Sequence, residues 1–313
     1  MRTAAVRDHG VVVALAALVV ALSLSTDTFL TTGNLVNLLD QTVVVGLLAC
    51  GMTLCVVCGA FDLAVGAVLA VSAVVAVLVT RSAGVPAGYA AGVATGALMG
   101  TVSGLVVVLT RVHSFIATLA LSIVYRGLAV VITGGAIVYP RAAQLDAFQM
   151  IGWPTALGGV TAATLVLAGA AAACWVLLAG TAFGRRVHAV GGNAEAARLS
   201  GVRTGPVRVA VFATSGACAG TAGLVMAARG GSAQPNLGNL LELSAIAAVV
   251  LGGTSILGGE GAIWRSLIGV LILGLISNGF NLLGWNPTYK QVIEGVLILC
   301  AVTLDQFLRH RKT

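Results

Sequence analysis

Few side chains in this chain could do chemistry, and most of those stand alone. Asp62 in "GAFDLAV", Arg126 in "SIVYRGLAV", Glu242 in "LELSAI" and the amides Asn278 and Asn281 in "LISNGFNLL" sit in or beside long apolar runs. No serine, histidine and aspartate set is legible, nor a cysteine–histidine pair, paired carboxylates or a cluster of metal ligands. Cys55 and Cys58 have CxxC spacing, but no second pair or histidine group accompanies them. All six cysteines (Cys50, Cys55, Cys58, Cys174, Cys218 and Cys300) lie inside apolar runs and read as small buried hydrophobes. The chain therefore reads as a non-enzyme with no cofactor or metal of its own. Its isolated polar residues read as contacts along a path or between helices.

Each of those residues has two readings. Asp62 is a pathway or gating contact, or the N-cap of a helix starting at Leu63, and the two are compatible. A charge at mid-membrane costs on the order of 3 kcal/mol on insertion scales, so Arg126 must face protein or a wet cavity, or snorkel to the surface. Glu242 is a candidate partner for it. Asn278 and Asn281, three apart, share a helix face and either line a hydrated path or hydrogen-bond to a neighbouring helix. Asp62, Arg126, Glu242, Asn278 and Asn281 form the candidate translocation path. Gln234 and Asn236, flanking Pro235, read as an outside loop or a contact for an outside partner. The glycine-rich "VVLGGTSILGGEG" (249–261) permits a helix break, which near the midplane can mark a substrate site.

The elements that must hold these residues are membrane spans. Charged residues make up 9% of the chain and hydrophobic ones 58%, with a mean hydropathy of +1.04. Soluble domains run near a quarter charged. Runs such as "LAVGAVLAVSAVVAVLV" are apolar on every side, which fits helices and not the alternating pattern of barrel strands. The fold class is all-α: a polytopic bundle of about ten transmembrane or re-entrant helices, near 11–25, 41–59, 63–80, 86–109, 115–133, 157–179, 207–228, 243–258, 262–283 and 288–305. The stretches 41–59 and 243–258 are short or glycine-broken, and either could be re-entrant. Arg2 and Arg7 before Val11 to Leu24 resemble a signal peptide, but no small-x-small site closes it, so a retained first span is expected.

Basic residues orient the bundle. With the N-terminus cytoplasmic, the inside segments hold Arg2, Arg7, Arg111, Arg185, Arg186, Arg198, Arg203, Arg208, Arg265, Arg309, Arg311 and Lys312. The outside segments hold Arg81, Arg141, Arg229 and Lys290. This bias predicts N-in and C-in, and it accounts for the formal charge of +7 without a nucleic-acid role. The longest outside loop, about 134–156, includes Tyr139, Pro140, Arg141, Asp146, Trp153 and Pro154 and is too short for a catalytic or nucleotide-binding domain. The whole chain, 1–313, reads as one transmembrane domain, and any ATP-driven motor must be another polypeptide.

The charge gathers in "GRRVHAVGGNAEAARLSGVR" (184–203), the longest predicted cytoplasmic loop. Asn193 can cap a short helix over "AEAARLS", closed by Gly201, with Gly191 and Gly192 as its sharp entry. A phosphate-cradling loop would need a preceding strand and a different glycine pattern. The segment reads as turn, helix, turn. It is either a force-transmitting contact, with Ala196, Ala197 and Leu199 docking and the arginines making charge-assisted bonds, or a solvated loop that fixes orientation.

"AVGGNAEAARLSGV" resembles the cytoplasmic coupling loop of permease subunits of sugar-importing ABC transporters of the ribose, xylose and galactoside type. The stretches 51–70, 114–135 and 231–284 match the same family in the same order, so the resemblance covers roughly residues 25 to 305. It implies an ATPase-coupling loop of Gly191, Gly192, Asn193, Glu195, Ala196, Ala197, Arg198, Leu199, Ser200 and Gly201. It also implies a second permease copy or similar chain, a cytoplasmic ABC ATPase carrying ATP and Mg, and an extracytoplasmic sugar-binding protein, all around a chain embedded in lipid in a bacterial inner or plasma membrane. Glu195-Ala196-Ala197 with Gly201 matches the start of the wider EAA signature, without its later Ile and Leu-Pro. Ser244 stands where the family often has Asp, and Phe61, Ala64 and Ala67 where it often has Ile and two Ser, which lowers local polarity. The expected function is import of a monosaccharide. The alternatives are an ion-coupled secondary transporter, or an ABC permease for a nucleoside or another polar solute.

Overall fold

The structure, a computed structural model, describes residues 2–152, 160–285 and the positions 289, 292, 293, 295, 296 and 299. The expected span 288–305 as a unit, Trp153 and Pro154, Lys290, Glu294, Cys300 and the terminal Arg309, Arg311 and Lys312 fall outside the described residues. Among the described residues there is no strand; Val138 and Ala233 form an isolated antiparallel bridge. The helices are α1 (Arg2–Ser25), α2 (Thr32–Val57), α3 (Val65–Ala83), α4 (Val85–Thr110), α5 (Ser114–Thr133), α6 (Ala142–Gln149), α7 (Ala162–Trp175), α8 (Ala182–Gly192), α9 (Ala194–Leu199), α10 (Thr204–Gly230), α11 (Leu241–Leu251) and α12 (Ile263–Leu282). A π turn, Val176–Gly180, continues α7. Among the described residues seven helices, α7 taken together with that turn, are long and apolar enough to cross a membrane. Against an expected total of about ten, the described residues hold these seven, the shorter apolar part of α1 and the half-length α11, nine in all, with the span 288–305 outside them.

Threonines and asparagine start these helices, and glycines end several. Thr31, Thr161, Thr181 and Asn193 each accept a backbone N–H two or three residues into the next helix, satisfying an orphan donor. Gly134, Gly201 and Gly231 take positive φ just past α5, α9 and α10, where a side chain would be strained.

The centre of the bundle is α2, with 83% of its apolar window buried against 22% for α5. It runs 26 residues, about 39 Å at 1.5 Å per residue, and so is long enough to cross in full. The sequence places its start near 41 because Asn34, Asn37 and Asp40 look like a polar exit. Two of these are satisfied inside the protein: Asn34 pairs with Asn278, and Asp40 accepts from Arg229 at 2.6 Å and from Thr161 at 2.7 Å.

A glycine stripe joins α4 to α10. Gly88, Gly92, Gly96, Gly100 and Gly104 recur every fourth residue, and a Cβ on Gly96 or Gly100 would stand 2.3 Å from the Gly216 carbonyl or 2.2 Å from that of Phe212. The two backbones touch directly, as small-xxx-small packing allows.

The 243–258 stretch is a broken one, ending in a loop packed against the ends of α2 and α8. α11 has 11 residues, about 16 Å, which is half a bilayer core. Residues 233–240 lead into it from the end carrying the Val138–Ala233 bridge. Gly252 and Gly253 end it, and α12 returns antiparallel, with Gly252 against the backbone of Arg265 and Gly269 against that of Ala248. Two expected loops are also more ordered than read. The 134–156 loop contains α6, whose Phe148 is fully buried and accepts a 2.6 Å hydrogen bond from Tyr89 at its carbonyl. The 184–203 segment holds two helices, α8 and α9, because the apolar face of Val187 and Val190 extends the helix back to Ala182.

Candidate coupling surface and translocation path

At one end of the bundle α8 and α9 meet at Asn193, which ends the first and caps the second, accepting from the Ala196 N–H at 2.9 Å. Gly201 N–H and Val202 N–H bond back to the carbonyls of Arg198 and Ala197, closing α9 in a tight C-terminal turn. Of the three residues read as docking contacts, Ala196 is exposed and Leu199 is 75% exposed, but Ala197 is turned inward beside Val187, Val190 and Val207. Arg198 forks onto Glu195 three residues back and holds that carboxyl below the usual carboxylate range. Ser200 caps the end by bonding the Ala196 carbonyl at 2.9 Å.

Gly191 and Gly192 do not make the sharp entry expected of them. They are in the last turn of α8, and at Gly191 the lack of a side chain serves close backbone approach, whereas a Cβ on Gly192 would meet open space. A Cβ on Gly191 would lie 1.8 Å from the Val57 carbonyl at the end of α2, and one on Gly259 would lie 2.8 Å from the Gly192 Cα. Gly259 N–H also bonds the Val57 carbonyl at 2.9 Å. Three segments far apart in sequence thus meet backbone to backbone: the end of α2, the end of α8 and the loop between α11 and α12.

Asp62 lies in the break between α2 and α3 and is 1% exposed. The helix starts at Val65, two residues later than read, so Asp62 caps the turn before it. One carboxylate oxygen accepts from Ala64 N–H at 3.1 Å, and the other from the Ser215 hydroxyl of α10 at 2.9 Å. Ser114 and Thr118 of α5 accept from Phe61 and Leu63 N–H, both at 3.0 Å. The break is therefore pinned from two helices. Ala64 and Ala67, the residues that depart from the family pattern, are fully buried in the main core.

Arg126 donates to the carbonyls of Pro235 and Leu237 at 2.9 and 2.8 Å. Its hydrogen bonds hold the chain leading into α11 by backbone acceptors, and Glu242, the expected partner, faces it through charge alone. Glu242, in the first turn of α11, stands against Gly66 at the start of α3, and its Oε2 is buried without a hydrogen-bond partner among the described residues. Leu240, just before it, takes φ +64, an uncommon conformation for a branched residue.

Asn278 and Asn281 are not brought together. Asn278 is 3% exposed and exchanges hydrogen bonds of 2.7 and 3.1 Å with Asn34, whereas Asn281 is exposed. Sequence reasoning missed several buried polar partners: Asn34, Ser215, Thr118, the Asp40–Arg229 pair, and Thr53 bonded to Ser266 at 2.8 Å. A single Ser, Thr or Asn in an apolar run carries no sign of what it faces, and Asp40 and Arg229 stand at span ends, where a charge reads as facing solvent.

Residues 34–302 match the protein family described as branched-chain amino acid transport system / permease component. The chain belongs to this permease family. Among its relatives, the ribose import permease protein RbsC of Bacillus subtilis (strain 168) is 45% identical over 291 residues, 92% of this chain and 89% of that protein. The protein of the same name from Escherichia coli (strain K12) is 41% identical, covering 94% and 92%. The L-arabinose transport system permease protein AraH of Escherichia coli (strain K12) is 36% identical, covering 97% and 92%. No solved structure matches the permease. As a transport component of this family the permease is not an enzyme.

Proposed function

We propose that this permease is the membrane-spanning subunit of an ATP-driven importer for a monosaccharide, with a pentose such as ribose or arabinose as its substrate. The observation that carries this is the match to two ribose import permeases at 41–45% identity over more than nine-tenths of the chain. In this reading the chain is one domain in the bacterial inner or plasma membrane, N-in and C-in. It pairs with a second copy or a similar chain and is surrounded by lipid. A cytoplasmic ABC ATPase, which carries ATP and Mg, docks on 184–203. An extracytoplasmic binding protein delivers the sugar. The exposed Leu199 and Ala196 on a capped helix support the docking role, since they offer an apolar contact held in a fixed position. Among the candidate path residues, Asp62, Arg126 and Glu242 line the breaks that flank α3 and α11. Asn278 and Asn281 act at the margin of α12.

The test is reconstitution of the permease with its ATPase and binding protein in vesicles. Uptake of labelled ribose or arabinose that requires ATP and both partners is expected. Uptake that continues on an ion gradient without ATP would overturn the reading, and ATP-driven uptake of leucine or valine in place of sugar would overturn the substrate. Arg198→Glu with Leu199→Asp should abolish ATPase recovery on co-purification while leaving the permease folded.

A further inference from the structure

A second groove at the α8–α9 end opens sideways, between the π turn after α7, α8 and the start of α12. Its volume is about 470 Å³, and it is lined by Trp175, Leu178, Arg185, His188, Ile263 and Trp264, with small residues between. Leu178 and Ile263 form a buried apolar floor at 4% and 2% exposure. Trp175 and Trp264 are large and half-exposed, and each sits near the same end of an apolar helix able to cross a membrane. Tryptophans so placed lie at the headgroup level of a bilayer. Arg265 stacks its guanidinium 6.0 Å from the Trp264 ring centre, adding a cation at that depth.

The polar rim is of one sign. Arg185 is exposed on α8, and His188, one turn on, is fixed by its Nδ1 donating to the Gly184 carbonyl at 2.9 Å. Among the described residues no carboxylate lines the groove. The neighbouring groove of about 650 Å³, lined by Phe183, Arg186, Ser200, Arg203, Pro206 and Val207, is also basic. It borders the turn after α9, however, and has no tryptophan to set it at headgroup depth. Basic pockets between transmembrane helices are sites for anionic lipid headgroups.

We propose that the groove between Trp175 and Trp264 binds one anionic phospholipid of the adjoining leaflet. Its phosphate lies between Arg185 and His188, and an acyl chain lies along Leu178 and Ile263. The charge complementarity, the aromatic pair at headgroup level and the apolar floor are the three features such a molecule needs, and all three line this groove.

The experiment is native mass spectrometry of the full-length permease in mild detergent, delipidated and titrated with phosphatidylglycerol or with phosphatidylcholine of the same chains. One phosphatidylglycerol should be retained in preference to phosphatidylcholine. Arg185→Gln with His188→Gln should weaken that binding roughly tenfold, because each basic group near the surface contributes modestly to anionic-lipid attraction. Arg186→Gln removes the same charge at the same end but lines the other groove, and should leave the binding as it was. Arg185→Gln alone, an exposed change that leaves the melting temperature unaltered, should give a smaller drop in the same direction. Equal retention of both lipids would overturn the proposal, as would equal weakening by Arg186→Gln.

Discussion

At the scale of single residues, the buried polar groups act as fasteners. Asp62 is the clearest case, because its two oxygens serve different helices. Replacing it by leucine leaves the Ala64 N–H and the Ser215 hydroxyl buried without acceptors, at about 1–3 kcal/mol for each unsatisfied group. Asp62→Leu should therefore lower the melting temperature in detergent far more than Ser215→Ala. The double variant should cost less than the sum of the two, as expected for residues in contact; strict additivity would show that the bond does not contribute. Arg126 invites a similar comparison. Its guanidinium reaches two carbonyls at once, which a lysine ammonium on a single flexible stem reproduces poorly. Arg126→Lys should reduce transport with little loss of fold, and Arg126→Leu should impair both, read as uptake rate against thermal melting. Equal effects of the two would remove the role given to the fork.

At the scale of elements, the glycine stripe of α4 makes a sharp prediction. A methyl group on Gly96 meets backbone, which cannot rotate away, so Gly96→Ala should cost about 1–3 kcal/mol, as overpacking does. Gly127 on α5 has open space around it, and Gly127→Ala should be neutral or stabilise by up to about 1 kcal/mol. Chemical or thermal unfolding of the two variants compares them directly, and a tolerant Gly96 would mean that α4 and α10 sit further apart. Most helices were legible in the sequence because an apolar run long enough to cross a membrane leaves the backbone no other choice. The early turns of α2 were not, since Asn34 and Asp40 look like solvent residues until Asn278 and Arg229 are placed against them. The stripe at 88, 92, 96, 100 and 104 was visible as a four-residue period, yet its meaning depends on which helix it faces. The function of Gly191 was not readable at all, because the atoms that exclude a side chain there belong to Val57 and Gly259. Asn193 and Gly201 were readable because a cap acts on its own neighbours.

At the scale of the whole molecule, the apolar interior predicts what reagents can reach. The cysteines at 50, 55, 58, 174 and 218 are all at most 6% exposed. In a Cys300→Ala background a membrane-impermeant maleimide should leave the native permease unlabelled and label five thiols after denaturation, counted by intact mass. Labelling of Cys58 during ATP-driven turnover would reveal an opening next to the α2 end. That place has a mechanical consequence of its own. Side chains flex through rotamers and absorb small displacements, whereas peptide units in van der Waals contact have no such slack. Where Gly191, Gly259 and the Val57 carbonyl touch, any tilt of α8 must either carry α2 and the half-helix loop along with it or break the 2.9 Å bond between Gly259 and Val57. The joint thus works like a hinge pin with only two settings, engaged or sheared, and a shove on α9 from below would arrive at the middle of the bundle undiminished for as long as the pin holds.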